Sequence, residues 1–378
     1  MPGKGDNHIK GRKILSQVKQ GLEHYQDPIR RSGSSISVIR FTPTEGLDKD
    51  TSTKLDASRI SAEQKQKNFT AQGFESKDIA LPYDVSLAQF REEIKKANED
   101  PRSIGIIVQM PAPPRLMSGV QEIDSAKDID GLLAERSQQR ACATADGITR
   151  VALPFTSDGA KVAVIGSKGF VGSGVVRLLR DKGIEPVALD LGDDLKRARE
   201  CDVIISVTGS PGIIGPDVIG PHHRAVVESG FVPQPGGKVL GDVRHEAYDL
   251  PQRITPVPGG IGPVEMAVLV ERGIQNSVDK NLKSWSYDGQ NVTAGVSTDP
   301  TFARPNREPV EIRDQAAQGT ARSNEAPQHG SLDALKHMAT TGDTRSAGAL
   351  RAMASSKPKP PGQKNLQSDK KDGPEAGS

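Results

Sequence analysis

Apolar positions in the first third of the chain alternate between short continuous runs and helical spacing. The continuous runs, typical of strands buried on both faces, are Ile36–Phe41 and Ile104–Val108. Helical spacing predicts helices over Ile14–Leu22, Ala57–Gln72 and Leu87–Asn98. The polar stretch Thr42–Asp56 is expected to be a loop. Strands separated by helices indicate βαβ units and a mainly parallel sheet.

The same alternation continues in the middle of the chain. The predicted strands are Lys161–Ile165, Pro186–Leu189 and Asp202–Val207, followed by the weaker candidates Ala225–Val227 and Lys238–Leu240. The predicted helices are Val175–Lys182, Leu195–Glu200 and Val264–Val278. This order predicts a Rossmann-like, doubly wound parallel sheet. The expected fold class is therefore α/β, with two domains and an active-site cleft between them.

From residue 281 the chain is mostly polar, and Pro, Gly, Ser, Lys and Gln dominate its last stretch. Such a composition buries too little apolar surface to offset chain entropy. We therefore predict an N-terminal α/β domain over 5–145, onto which a last helix over 264–280 packs back. A Rossmann-like domain over 146–263 and a disordered, low-complexity tail over 281–378 complete the prediction.

Composition and charge argue against several classes of protein. A net charge of +2 gives no electrostatic footprint for nucleic acid. Cys142 and Cys201 do not form a disulfide framework, which favours a reducing cytosol. The polar N-terminus has no signal-peptide core, and no run reaches the ~18 apolar residues of a membrane span. We expect a soluble, cytoplasmic protein without a metal, since His222 and His223 have no partner at metal-ligand spacing.

A glycine-rich turn, Gly166–Gly172, lies between a predicted strand and a predicted helix. Glycine lets backbone approach a pyrophosphate at a helix N-terminus, which predicts a dinucleotide site. Asp190 ends the next strand, where a carboxylate accepts ribose hydroxyls and repels a 2′-phosphate, favouring NAD over NADP. The cofactor-binding candidates are Gly166, Ser167, Lys168, Gly169, Val171, Gly172, Asp190, Thr208 and Gly209. Taken alone, each of these segments is also consistent with an ordinary structural turn that binds no ligand.

The densest cluster of Pro and Gly is Thr255–Pro263, a rigid path that leads into the last predicted helix. It resembles the signature loop of the methylenetetrahydrofolate dehydrogenase/cyclohydrolase family. Further signatures follow the family's order: Ile9-Lys-Gly-Arg12, Ile107-Val-Gln-Met-Pro-Ala-Pro113, Lys127-Asp-Ile-Asp-Gly131, Gly166–Gly174 and Gly241-Asp-Val243. The resemblance covers Ile9–Val278 and leaves the tail outside.

The resemblance implies an enzyme that interconverts methylene-, methenyl- and formyl-tetrahydrofolate with NADP or NAD. Lys65 would be the general acid/base of methenyl hydrolysis, Gln109 would tune it by hydrogen bonding, and Asp130 would hold the pterin. The remaining substrate-binding candidates are Ser61, Pro258, Gly259, Gly260, Ile261, Gly262 and Pro263. Analogy with the family also implies a homodimer, and the tail is a candidate site for an unknown protein partner.

Departures from the family pattern fall at both ligand sites. Ser61 stands where the family has a stacking Tyr, Glu228 lies in its I-D-V-G segment, and Glu265 replaces a Thr. Three interpretations stay open, two of them main ones. One is a divergent dehydrogenase, with or without the cyclohydrolase step, and the other is a weakened member repurposed to bind a nucleotide or partner. An enzyme of the same fold with an unrelated substrate is a third.

Overall fold

The computed structural model describes residues 5–234 and 238–302. The elements before residue 125 are α1 (Gly11–Gly21), α2 (Gln26–Ser32), β1 (Ser35–Thr42), α3 (Lys49–Gln72), β2 (Glu75–Pro82), α4 (Leu87–Glu99), β3 (Ser103–Val108) and α5 (Met117–Val120). Those that follow are α6 (Ala143–Ala152), β4 (Val162–Ile165), α7 (Phe170–Asp181), β5 (Val187–Leu189), β6 (Val203–Ser206), β7 (Ala225–Glu228), β8 (Val232–Pro233), β9 (Val239–Leu240), α8 (Ile261–Ser277), β10 (Ser286–Tyr287) and β11 (Val292–Thr293).

The first sheet has the strand order β2-β1-β3, and both pairs are parallel. Its strands β1 and β3 are largely buried, as their continuous apolar runs predict. Helix α3 packs on β1, while α4 and α8 pack on β3. The edge strand β2 alternates between exposed and half-buried residues. Its polar sequence therefore carried no apolar run, and the sequence analysis missed it.

The second sheet has the order β5-β4-β6-β7, again with every pair parallel. All residues of β4, β6 and β7 are buried, as expected for a sheet covered on both faces. Two parallel sheets with flanking helices confirm the predicted α/β class. No helix within the described residues is long and apolar enough to cross a membrane.

Helix α8 leaves the second sheet and packs against the first. Gly273 permits close approach, because a Cβ there would lie 3.1 Å from Phe74 Cζ. Arg272, which is buried, donates to the carbonyl oxygens of Ile129 and Ala141 at 3.0 and 2.9 Å. Residues of both sheets therefore belong to one continuous apolar cluster that includes α8.

The start of α3 corrects one prediction. The helix begins at Lys49, inside the segment Thr42–Asp56 that was expected to be a loop. Asp48 caps it, because its carboxylate accepts a hydrogen bond from the amide of Thr51 at 2.8 Å. The first two turns are polar, so apolar periodicity could not reveal them. The predicted boundary between 145 and 146 also falls inside a helix, α6.

Residues 281–302 were assigned to a disordered tail, and for them the prediction is wrong. They form the antiparallel hairpin β10–β11 and bury Trp285, which is 2% exposed. The amide of Trp285 donates to Glu271 Oε2 at 2.6 Å, and the Arg150 guanidinium lies 4.8 Å from its ring centroid. One large aromatic residue anchors a segment whose average composition is polar. The rest of the predicted tail, 303–378, lies outside the described residues.

Candidate active site

The glycine turn between β4 and α7 has the shape of a phosphate cradle. Gly166 has a φ of +90°, and a Cβ there would lie 3.0 Å from the carbonyl oxygen of Val207. A Cβ at Gly169 would meet one atom, the carbonyl oxygen of Gly166, at 3.3 Å. Gly169 is the N-cap of α7 and makes no side-chain cap hydrogen bond. First-turn amides have no intrahelical acceptors, so they suit an anion. The turn therefore fits a dinucleotide pyrophosphate.

Helix α7 begins earlier than the predicted Val175, so Val171 and Gly172 belong to its first turn. A Cβ at Gly172 would lie 2.1 Å from the carbonyl oxygen of Gly166. Contact between the helix and the turn accounts for this glycine without any ligand. Within the predicted set, Gly166 and Gly169 therefore shape the cradle, and Gly172 lets the helix pack against it.

Asp190 directly follows β5 and fixes the glycine turn. Its Oδ2 accepts the amide of Lys168 at 2.8 Å, and its Oδ1 accepts the amide of Leu191 at 2.9 Å. Asp190 is buried, and its negative charge lies beside the cradle.

Asp242, which the sequence analysis did not assign to the site, organises the loop after β6. Its carboxylate accepts from the Ser206 hydroxyl at 2.6 Å and from the amides of Thr208 and Ser210 at 2.8 and 3.0 Å. Burial raises the pKa of Asp242, and these hydrogen bonds oppose that shift. Thr208 and the following Gly209, which has a φ of +62°, are therefore held by a buried acid.

A second buried acid, Glu228, ends β7. Burial, together with the charge of Asp242, raises the pKa of Glu228 to about 8. Its Oε1 accepts the amide of Val243 at 2.8 Å, and its Oε2 bonds the Tyr248 hydroxyl at 2.7 Å. A Cβ at Gly241 would lie 1.9 Å from Glu228 Oε1. The family segment has Asp where this chain has Glu228. The longer side chain of Glu228 occupies the space in which a side chain at Gly241 would lie.

The signature loop runs from Thr255 to Gly260, shorter than predicted. It contains a cis peptide between Val257 and Pro258, and Gly259 has a φ of +108°. The amide of Gly260 donates to the carbonyl oxygen of Pro256 at 2.8 Å. The last three residues assigned to it form the first turn of α8, namely Ile261, Gly262 and Pro263.

Lys65 and Glu265 form an ion pair between α3 and α8. Lys65 Nζ lies 3.0 Å from Glu265 Oε1, and both side chains are 0% exposed. The same Nζ donates to Ser61 Oγ at 3.1 Å, and the Thr144 hydroxyl donates to Glu265 Oε2 at 3.1 Å. Three helices, α3, α6 and α8, thus converge on one charge pair. Ser61 and Glu265, which are separate departures in sequence, meet at the same lysine.

Gln109 directly follows β3, and Asp130 lies in the segment between α5 and α6. The amide of Gln109 donates to the carbonyl oxygen of Ile39 at 2.7 Å. The backbone carbonyl of Asp130 accepts the amide of Ala143 at 2.9 Å, next to Thr144. Both predicted side chains are buried, each 1% exposed. The structure thus brings Lys65 into direct contact with Ser61 and Glu265, and it ties the backbone of Asp130 to the helix that carries Thr144.

Two family models match most of the chain. The catalytic domain of tetrahydrofolate dehydrogenase/cyclohydrolase matches residues 9–130, and the NAD(P)-binding domain of the same family matches residues 142–281. Bifunctional protein FolD 1 of Pseudomonas putida is 31% identical, covering 71% of this chain and 95% of its own. The chain belongs to the tetrahydrofolate dehydrogenase/cyclohydrolase family.

Other members of the family match a similar share of this chain. Bifunctional protein FolD of Staphylococcus saprophyticus is 28% identical, covering 69% of this chain and 93% of its own. The crystal structure of the bifunctional FolD enzyme from Campylobacter jejuni has a TM-score of 0.61 at 23% identity, covering 71% of this chain and 97% of that one. These matches confirm the predicted fold and family resemblance.

The two members of the ion pair fall in different matched ranges, although the second lies on α8, which packs against the first sheet. Lys65 belongs to the catalytic-domain match and Glu265 to the NAD(P)-binding match. The sequence analysis missed their contact, and also Thr144, because α8 brings together residues far apart in the chain. Two departures from the family pattern, Ser61 and Glu265, were a signal for this contact. Each of them changes the expected surroundings of the retained Lys65.

Proposed function

We propose that this protein is an NAD(P)-dependent methylenetetrahydrofolate dehydrogenase of one-carbon metabolism. The observation that carries the proposal is the position of Lys65. It is retained on α3, within the catalytic-domain match, and forms an ion pair with the helix that follows the signature loop, within the NAD(P)-binding match. When bound, the nicotinamide accepts the hydride that leaves the methylene carbon. The chain's own residues bind and orient the reactants.

On the cofactor side, the cradle of Gly166 and Gly169 holds the pyrophosphate at the start of α7. Asp190 accepts a hydroxyl of the adenosine ribose, while Thr208 and Gly209 approach the nicotinamide ribose. A 2′-phosphate placed beside the buried carboxylate of Asp190 would be repelled. We therefore expect the enzyme to prefer NAD over NADP, although the fold accommodates either dinucleotide.

On the folate side, Lys65 and Gln109 face the reacting carbon, Asp130 holds the pterin, and residues 258–263 line the ring. Ser61 supplies a hydroxyl where the family has an aromatic ring. An aromatic stacking contact is worth about 0.5–1.5 kcal/mol, so folate should bind more weakly than it does to members with the ring. Lys65 is fully buried, so substrate contact requires the side chains around it to separate.

The organisation of the enzyme completes the proposal. Residues 5–145 with 264–280 form the folate-binding domain, and residues 146–263 form the dinucleotide-binding domain. By analogy with the family, the enzyme is a cytoplasmic homodimer. The predicted binding of a protein partner by the tail concerns residues outside the described ranges.

Turnover of the purified full-length protein tests this function. The protein is mixed with methylenetetrahydrofolate and either NAD or NADP, and reduced nicotinamide and methenyl product are followed by absorbance. Folate-dependent reduction, with a higher kcat/KM for NAD, is the expected result. Binding of dinucleotide without reduction would instead support a repurposed nucleotide-binding protein, and the proposal would fail.

A further inference from the structure

Lys65 forms a buried ion pair with Glu265, and the proposed dehydrogenase step does not require this pair. Both members of the Lys65–Glu265 pair are inaccessible to water. The carboxylate is held from the other side by the hydroxyl of Thr144, and the ammonium is held by the hydroxyl of Ser61. Each charge has a counter-charge and a further hydrogen bond, the conditions under which a buried ion pair is retained.

We infer that Glu265 is a positioning residue that holds Lys65 as a fixed ammonium donor, so that the site oxidises methylenetetrahydrofolate but hydrolyses the methenyl product poorly. This inference rests on the proposed function. It attributes the preference for oxidation over hydrolysis to one contact, the Lys65–Glu265 ion pair between α3 and α8.

The two reactions place different demands on Lys65. Oxidation breaks a C–H bond of the methylene carbon and passes the hydrogen with both electrons to the nicotinamide. The product is the methenyl cation, and the protein has no proton to take up. A fixed ammonium therefore does not obstruct this step, and it can still donate a hydrogen bond to the bound folate.

Hydrolysis does require a proton acceptor. Water oxygen adds to the methenyl carbon, and the bond from that carbon to the N5 nitrogen breaks. One water proton stays on N5 and the other is released, giving the 10-formyl compound and H⁺. A lysine can accept a proton from the attacking water only as a free amine. Glu265 opposes that form, because proton loss from Lys65 would leave the carboxylate as a lone buried anion.

Several candidate residues of the folate side are buried as well. Ser61, Gln109 and Asp130 are each 1% exposed, and Glu265 has no exposed surface. In this conformation neither Lys65 nor Glu265 reaches bulk water, so proton loss from Lys65 requires the same separation of side chains that substrate contact requires. General acid–base catalysis contributes roughly 10²–10⁴-fold to a rate, which sets the scale of the loss expected when the acceptor is withheld.

The test compares the two steps in one preparation of the full-length protein. Methylenetetrahydrofolate and NAD are supplied, and reduced nicotinamide, methenyl and 10-formyl products are quantified over time. We expect methenyl to accumulate, because hydrolysis lacks the roughly 100-fold or greater acceleration that a free proton acceptor would supply. Supplied methenyltetrahydrofolate gives a second arm, scored against its spontaneous hydrolysis. Reduction coupled to equally fast hydrolysis would overturn the inference and leave the proposed function standing. Failure to reduce either nicotinamide would overturn the proposed function itself.

Substitution of Glu265 tests whether the contact is the cause. Glu265→Gln keeps the shape and an acceptor for Lys65 but removes the charge, and the ratio of hydrolysis to oxidation should rise by about tenfold or more. The gained hydrolysis should increase with pH, whereas a merely structural role would not create such a profile. Glu271→Gln is the matched control, since Glu271 is another buried acid of α8, paired with Arg150 at 2.9 Å. Its ratio should not change.

A double variant covers the case in which Glu265→Gln fails to fold. Lys65→Gln combined with Glu265→Gln removes both charges and leaves no unpaired ion. It should hydrolyse methenyl no faster than the wild type, because the acceptor is gone. Rapid hydrolysis by this variant, or a folded Glu265→Gln protein with the wild-type ratio and pH profile, would exclude the role assigned to Glu265.

Discussion

The amide of Gly11 donates a hydrogen bond to the carbonyl oxygen of Gly259 across 3.0 Å. A Cβ at Gly11 would lie 1.8 Å from the carbonyl oxygen of Gly260, which is backbone and cannot rotate away. The preceding segment is fixed to the same region, since the amide of Ile9 donates to the carbonyl oxygen of Ile254 at 2.7 Å. The short N-terminal signature is therefore one side of a contact whose other side is the signature loop.

Gly11→Ala should displace this loop. Overpacking of this kind costs about 1–3 kcal/mol, and the shifted loop should raise KM for the folate more than KM for the dinucleotide. Steady-state kinetics with each substrate varied in turn, together with thermal unfolding, checks both effects. Lys13→Ala, an exposed position on the same helix, is the control. A Gly11→Ala protein with wild-type KM values and Tm would show that the loop tolerates the methyl group.

Asp190→Asn should change the choice of cofactor. The amide oxygen can still accept a hydrogen bond from Lys168, so the turn should persist, but the charge that repels a 2′-phosphate is gone. The ratio of kcat/KM for NAD to that for NADP should fall by about tenfold, or ~1.4 kcal/mol. Asp193→Asn serves as control, because Asp193 is exposed and its carboxylate accepts the amide of Asp190. An unchanged ratio in Asp190→Asn would remove Asp190 from cofactor selection.

Local patterns were sufficient wherever burial is complete within one element. In β4 and β6 every residue is buried, and consecutive apolar residues (four in β4, three in β6) leave little choice of structure. The edge strand β2 and the first turns of α3 are polar, because each has a face in water, and the same rule could not find them. Trp285 shows the opposite case, since a single buried aromatic fixes a segment that its average composition describes as unfolded.

Candidate site residues could be named from the sequence, but the contacts among them could not. Lys65, Gln109 and Asp130 were identified through motifs, and the structure buries all three. The partner of Lys65 could not be derived in the same way, because Glu265 reaches it only after α8 has folded back across the first sheet. Contacts of this kind depend on tertiary packing, so a local sequence window does not identify the two partners. The departures at Ser61 and Glu265 indicated only that the surroundings of Lys65 differ from the family pattern.

Glu228→Gln should alter how stability depends on pH. Burial raises the pKa of Glu228 from an ordinary 4.5 to about 8. Between these values the folded protein holds a proton that the unfolded chain releases, so this group lowers the free energy of unfolding as pH rises. The slope is at most about 1.4 kcal/mol per pH unit, and the contribution present at low pH is fully lost above about pH 8.

The glutamine variant cannot titrate and still offers groups to Val243 and Tyr248. Its free energy of unfolding should therefore fall less steeply than that of the wild type between about pH 5 and 8. Urea denaturation at several pH values gives the difference between the two proteins, in which titrating groups that do not interact with Glu228 cancel. Asp242, whose charge acts on Glu228, contributes to that difference. Glu246→Gln, at an exposed position nearby, should follow the wild-type curve. Parallel curves for Glu228→Gln and the wild type would mean that Glu228 titrates as an ordinary carboxyl.

Trp285→Ala tests whether residues 281–302 belong to the folded core. Loss of a buried tryptophan costs about 3–5 kcal/mol, and Trp285→Phe should cost less because it keeps an aromatic ring near Arg150. Circular dichroism during urea unfolding measures both. Trp285 is the one tryptophan of the chain, so wild-type fluorescence reports on this segment alone. Its transition should coincide with that of circular dichroism, since the indole is buried in the core shared by both sheets. A red-shifted emission before any denaturant is added, or an unchanged stability of Trp285→Ala, would place the segment outside the core.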